Sequence, residues 1–234
     1  MNETIVTETA EMPAGSEKLL DYEMEQYWQC PDCFKRKRSN GHSCGPSWQH
    51  LVQYAVNHAI NDYYMLPSEQ RTAIGILNSL DKRWTNKVKS FRSKEHFERV
   101  QKIVKHYLVI HLLRDSGGME PFSLFEKHSV RLPELDAELS MIVQVAEWGT
   151  TSFVLKKFIV HDDPNVVRAF LHTAVAICDR AFGRLPERIE VHTLLQGTTY
   201  TAVPVEEDVP ASLDYLLLMR GLLQDDTDSA IVRH

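Results

Sequence analysis

Only 4 cysteines occur in the 234 residues, and three of them fall in one stretch, CPDCFKRKRSNGHSC (residues 30–44). That scarcity excludes a disulfide framework, and a chain of this length can bury roughly 70% of its unfolded surface without staples. No apolar run approaches the ~20 residues that span a bilayer. The N-terminal MNETIVTETAEMPAGSE is acidic, where a leader would be basic and then apolar. Together these features predict a cytoplasmic chain with no membrane partner. No internal repeat is visible, and residues 1–17 lack hydrophobic periodicity, which reads as a mobile tail ahead of one domain over 18–234.

What the chain does have is ordinary globular composition, 43% hydrophobic and 25% charged, with an uneven distribution of charge. Residues 1–29 carry one Lys and seven acids (−6). Residues 30–114 carry fifteen Lys/Arg and six acids (+9), and residues 115–234 carry ten and nineteen (−9). The basic middle segment is either an anion-binding face or one of two solvated surfaces of opposite sign.

Apolar periodicity divides the domain at about residue 118. Before it, helices are expected over Glu17–Trp28, Trp48–Tyr64, Thr72–Trp84 and Ser93–Leu113, with the cysteine-bearing segment 30–44 as a loop. After it, strands are expected at Phe122–Leu132, Leu139–Val145 and Ser152–Val160. The last two form an antiparallel hairpin turned at Gly149. Asp163 and Pro164 open a helix over Val166–Phe182 that Gly183 stops. Strands at Arg188–Gly197 and Thr198–Val205 and a helix at Leu213–Leu223 complete the chain. The fold class is therefore α/β, a mixed central sheet flanked by helices behind a helical N-terminal half (18–118, then 119–234).

Two features of the helical half could carry chemistry. Cys30-x2-Cys33 with His42-x-Cys44 offers the four ligands of a tetrahedral zinc site, although one residue between the last two demands a sharply turned backbone. The alternative is a loop of reduced thiols. The run Lys35-Arg36-Lys37-Arg38 suits phosphates, as do Lys87, Lys89, Arg92, Lys102 and Lys105 farther along; a solvated surface is the plainer reading. Cys178, alone in an apolar helix, reads as a small core residue.

The order of elements and their local wording resemble the RecB-type exonucleases of the PD-(D/E)xK superfamily. The resemblance rests on the Tyr-bearing helix before Cys30-Pro31, a helix holding His58 and followed by LPSEQRT, and Ile76-to-Trp84 as IL-x2-L-x3-W. It continues with Glu126 on the first strand, the hairpin, the helix ending Phe182-Gly183, and EVHTLLQGTTY. It implies a restriction-endonuclease-like sheet with a Mg²⁺-dependent DNA nuclease centre on the hairpin. There an Asp, then Asp/Glu-x-Lys, would bind the metal and position the attacking water. In this register the Asp position holds Val143, the Asp/Glu position holds Leu155, and the Lys is Lys157. The polar pair of the following helix becomes Phe170 and Ala174. No Asp or Glu occurs from Leu139 to Ala146 or from Thr150 to Val160, so a small slip of register restores nothing. Lys157, Glu126 and His58 are the remnants, and Glu138, Glu147 and Glu190 are candidates for acids that have moved.

Three functional readings follow. The first is a catalytically inactive nuclease-like protein that binds nucleic acid or a protein partner in DNA metabolism. The second is an active Mg²⁺-dependent nuclease with relocated ligands, and the third is a non-enzymatic scaffold with a zinc-stapled loop.

Overall fold

A mixed six-stranded sheet organises the computed structural model, which describes residues 17–41, 45–114 and 120–231. β2 (Pro121–Leu132), β3 (Ala137–Trp148), β4 (Phe153–Ile159), β5 (Arg188–Thr193) and β6 (Thr199–Ala202) lie side by side in chain order. β3 runs antiparallel to both β2 and β4, β5 is parallel to β4, and β6 is antiparallel to β5. The parallel step needs a crossover, which α6 (Pro164–Ile177) supplies. This is the α/β plan, a mixed central sheet flanked by helices, that the order of elements predicts.

Helices cover both faces. α1 (Asp21–Gln29), α2 (Pro31–Asn40), α6 and α7 (Asp208–Ile231) close one core around Leu139, Val143, Leu155 and Ile159. The other core holds α3 (Trp48–Tyr64), α4 (Ala73–Arg83) and α5 (Lys94–Arg114) against Val145, Phe158 and Val160. β4 is buried on both sides, which explains its near-continuous apolar run. Among the described residues no helix is long and apolar enough to cross a membrane.

Local chemistry sets the helix ends. Ser47, Thr72 and Asp163 each cap a helix with a side-chain oxygen, and Pro164 follows Asp163 at the first helical position. Gly41 and Gly183 terminate α2 and the widened π turn after α6 in the left-handed region.

Three segments depart from the sequence-based expectation. Glu17–Leu20 is not helical: it forms β1, parallel to β3 over Ala137–Ser140, with Leu19 in the core. Glu17 is thus part of the sheet and bonded to Arg220, and residues 1–16 of the expected tail lie outside the described residues. The apolar spacing of Leu19, Leu20 and Met24 serves strand or helix equally, and tertiary pairing decided between them. The expected loop after Cys30 is instead α2, because Cys30 caps it, Pro31 opens it and Phe34 buries its ring. Charge and cysteine content masked that helical signal. The C-terminal helix also starts earlier and runs longer than expected, over 208–231.

One edge of β3 is shared. β1 occupies it as far as Ser140 and β4 takes it up from Val145, while β2 fills the opposite edge. Side chains serve the interval: the Asp21 carboxylate accepts the Ile142 N–H at 3.2 Å. The Gln144 carboxamide accepts the Phe158 N–H at 2.7 Å and donates to the Phe158 carbonyl at 3.3 Å.

Gly197, at φ 71° in the β5–β6 turn, lies under the Tyr107 ring, and a Cβ there would overlap that ring. Gly197→Ala is expected to lower stability by about 2–4 kcal/mol, combining left-handed strain with overpacking. The check is a urea titration with a lower midpoint and unchanged m value; adding Tyr107→Ala should give a less than additive loss.

Candidate functional site

Alternation along β4 points Lys157 into the layer beneath α1 and α6, among Leu155, Ile159 and Val143. A buried ammonium needs a counter-charge. Glu25 of α1 supplies it, with Oε2 3.3 Å from Nζ, and the Phe170 ring lies under the ammonium, 4.7 Å to its centroid. Asp21, one helical turn before Glu25, adds a second carboxylate and also accepts the Tyr22 N–H at 2.8 Å. The two acids are four apart on one helix face, which is why both can act on one lysine.

The electrostatics are mutual. Burial pushes the Lys157 ammonium toward deprotonation, but Glu25 and Asp21 outweigh it and hold its pKa above the ordinary lysine value. Burial raises the Asp21 carboxyl above the usual carboxylate range, and Lys157 and the Ile142 and Tyr22 amides offset only part of that.

Above this pair runs a rail of amides. The Gln53 Oε1 accepts the Val160 N–H at 2.9 Å, and its Nε2 donates to the Phe158 carbonyl at 2.9 Å and to Asn57 Oδ1 at 2.8 Å. Gln144 joins through Asn57 at 3.4 Å. A small cavity at Glu25, Gln53, His50 and His161 shares wall residues with one of about 450 Å³ lined by Gln29, Cys30, Cys33, Lys37, His50 and His161.

Of the three residues expected to carry chemistry, only Lys157 is in this cluster. Glu126 is 60% exposed and its carboxylate lies 3.9 Å from His128, so the partner of Lys157 is Glu25 instead. His58 packs edge-on against Tyr54, ring centroids 4.5 Å apart, while His50 on the same helix lines both cavities. Val143, Leu155, Phe170 and Ala174 are all buried in the core, so the positions of the expected polar groups are dry packing.

The three acids considered as relocated ligands are engaged elsewhere. Glu138 lies 3.9 Å from Lys18, and Glu147 holds Lys156 at 2.5 Å. Glu190 takes Arg188 at 2.5 Å and His192 at 3.4 Å. Burial alone would raise the Glu190 carboxyl, but the His192 and Arg188 contacts overcome it and bring the pKa to about 2. The acids beside Lys157 come from α1, and the i,i+4 acids of DYEME and the amide of Gln144 in LSMIVQV were the available signals.

Among the described residues no three His, Cys, Asp or Glu converge in a metal-holding group. Cys30 and Cys33 share the first turn of α2, whereas His42 and Cys44 lie outside the described residues. The basic residues are divided. Lys35, Arg36, Lys37 and Arg38 are exposed on α2, where Lys37 donates to Gln26 at 3.3 Å and Arg38 to the Leu223 carbonyl at 2.9 Å. Lys87, Lys89, Arg92 and Lys102 are exposed on the α4–α5 layer, and Lys105 is paired with Asp81 at 2.5 Å. Of the nine, Lys37 lines the larger cavity. No protein-family model and no curated protein matches the chain.

Two outcomes are expected. Lys157→Met alone strands Glu25 and Asp21 and should cost about 3–5 kcal/mol, whereas Lys157→Met with Glu25→Leu should recover much of it; chemical denaturation of the three proteins checks this. For Asp21, a folded pKa above the unfolded value means that its contribution is present at low pH and lost as pH rises through the folded value. Asp21→Asn should therefore gain stability relative to wild type as pH rises past the ordinary Asp value of about 4, read from paired melts.

Proposed function

We propose that this chain is a nuclease-like protein that does not cleave phosphodiesters and that binds nucleic acid through its basic surface. The observation that carries the reading is the ion pair of Lys157 with Glu25 over Phe170. In a working PD-(D/E)xK centre the lysine would stabilise charge on the substrate, beside carboxylates that hold Mg²⁺. Here its charge is spent on Glu25 inside the fold, and apolar side chains fill the positions of the two motif acids. The exposed cations of α2 and of the α4–α5 layer support the binding half of the proposal, since such surfaces draw phosphates by counterion release.

One observation favours a second reading. Asp21 and Glu25 are hard oxygen donors beside Lys157, and a Mg²⁺-dependent nuclease could use them in place of the missing acids.

Fluorescence anisotropy on single- and double-stranded DNA over a salt series, with parallel incubations in Mg²⁺ and Mn²⁺, separates the two. Non-cleaving binding should weaken with salt, and the log–log slope should fall by about 0.9 for each phosphate-contacting cation removed from Lys35–Arg38. Cleavage that is lost in Glu25→Gln and Asp21→Asn establishes the second reading instead. Absence of salt-sensitive binding ends the first.

A further inference from the structure

The first turn of α2 carries two thiols to which neither reading above assigns a task. Cys30 is the N-cap, and its sulfur accepts the Cys33 N–H at 3.3 Å. Positions three apart at a helix start place their Cα atoms ~5 Å apart, within the ~4.4–6.8 Å that a disulfide spans. Arg36, one turn on, donates from Nη2 to the Cys33 sulfur at 3.6 Å. Cys178 is the opposite case, buried in an apolar helix with its thiol pushed up to about 12, and so inert.

Both cysteines are half-buried and line the cavity of about 450 Å³. That volume suits a small-molecule ligand. The same wall presents Lys37 and the carboxamides of Gln26, Gln29 and Gln49. The Asp163 carboxylate and the His50 and His161 rings complete the polar lining, so that cation, carboxylate and carboxamides together match a small zwitterionic molecule built of amines, carboxylates and amides.

We propose that Cys30 and Cys33 are a redox-active dithiol that exchanges with small, carboxylate-bearing peptide disulfides seated in this cavity. The Cys30 sulfur bonds to one sulfur of the bound disulfide as its S–S bond breaks, and the first small thiol leaves. The Cys33 sulfur then displaces the second small thiol from Cys30 and closes a Cys30–Cys33 disulfide. Two protein thiols are oxidised, one small disulfide is reduced to two thiols, and the two cysteine protons end on those thiols. The proposal is independent of any nucleic-acid binding.

The test uses the reduced full chain with oxidised glutathione and, as a cationic disulfide of the same kind, cystamine. Intact mass and peptide mapping should show loss of two hydrogens at Cys30 and Cys33, with two small thiols released. Cys33→Ser should stop at a mixed disulfide on Cys30. Lys37→Gln should slow oxidised glutathione several-fold and leave cystamine unchanged. Serine is itself a good N-cap, so Cys30→Ser should keep the wild-type melt while forming no bridge in this turn. Three results overturn the proposal: no adduct on Cys30 in a folded Cys33→Ser chain, equal wild-type rates for the two disulfides, or one zinc ion per chain that must be removed before the thiols react.

Discussion

The structure depends on how one edge of β3 is completed. Backbone amides and carbonyls inside a protein must be bonded, and a strand edge that changes partner midway leaves some of them without a strand to pair with. Between Ser140 and Val145 the Asp21 carboxylate takes the Ile142 N–H of that edge, and Gln144, itself on β3, bonds the Phe158 N–H and carbonyl on the facing edge of β4. Asp21 can reach Ile142 because it directly follows β1, so the strand that ends the edge also delivers the residue that continues it. Gln144 can reach Phe158 because β3 and β4 separate beyond the Val145–Lys156 pair.

The opening between strands is also what admits a lysine to the core layer. Lys157 sits where β4 has left β3, and its charge makes the placement of α1 a requirement. The helix must present carboxylates at that height, and Asp21 and Glu25 meet it with one turn of spacing. Edge completion and charge neutralisation are thus performed by the same carboxylate-bearing turn, and Asp21 takes part in both.

Much of this architecture was legible in the residues. β-branched runs, the capping Asp163-Pro164 and the stop at Gly183 located the hairpin and its crossover, because local chemistry and tertiary demand agree there. The first strand was not legible, since four residues of parallel pairing with a partner far along the chain leave no local period. α2 was hidden by its own charge. The candidate site was half legible: the family resemblance singled out Lys157 and the apolar Val143 and Leu155. The partners of Lys157 could not be placed, because the contact of Glu25 with Lys157 is a property of how α1 crosses the sheet and not of either segment.

The parallel pairing of β1 has a consequence for how the molecule forms. Asp21 and Ile142 are 121 residues apart, and Glu25 and Lys157 are 132 apart. Pairing the first residues of the domain with β3 closes a long loop, an entropically opposed event, however early those residues are synthesised. Until then the Lys157 ammonium has water in place of its carboxylates. In the folded chain the same N-terminal segment both bonds the sheet edge at Ile142 and covers the lysine with carboxylates.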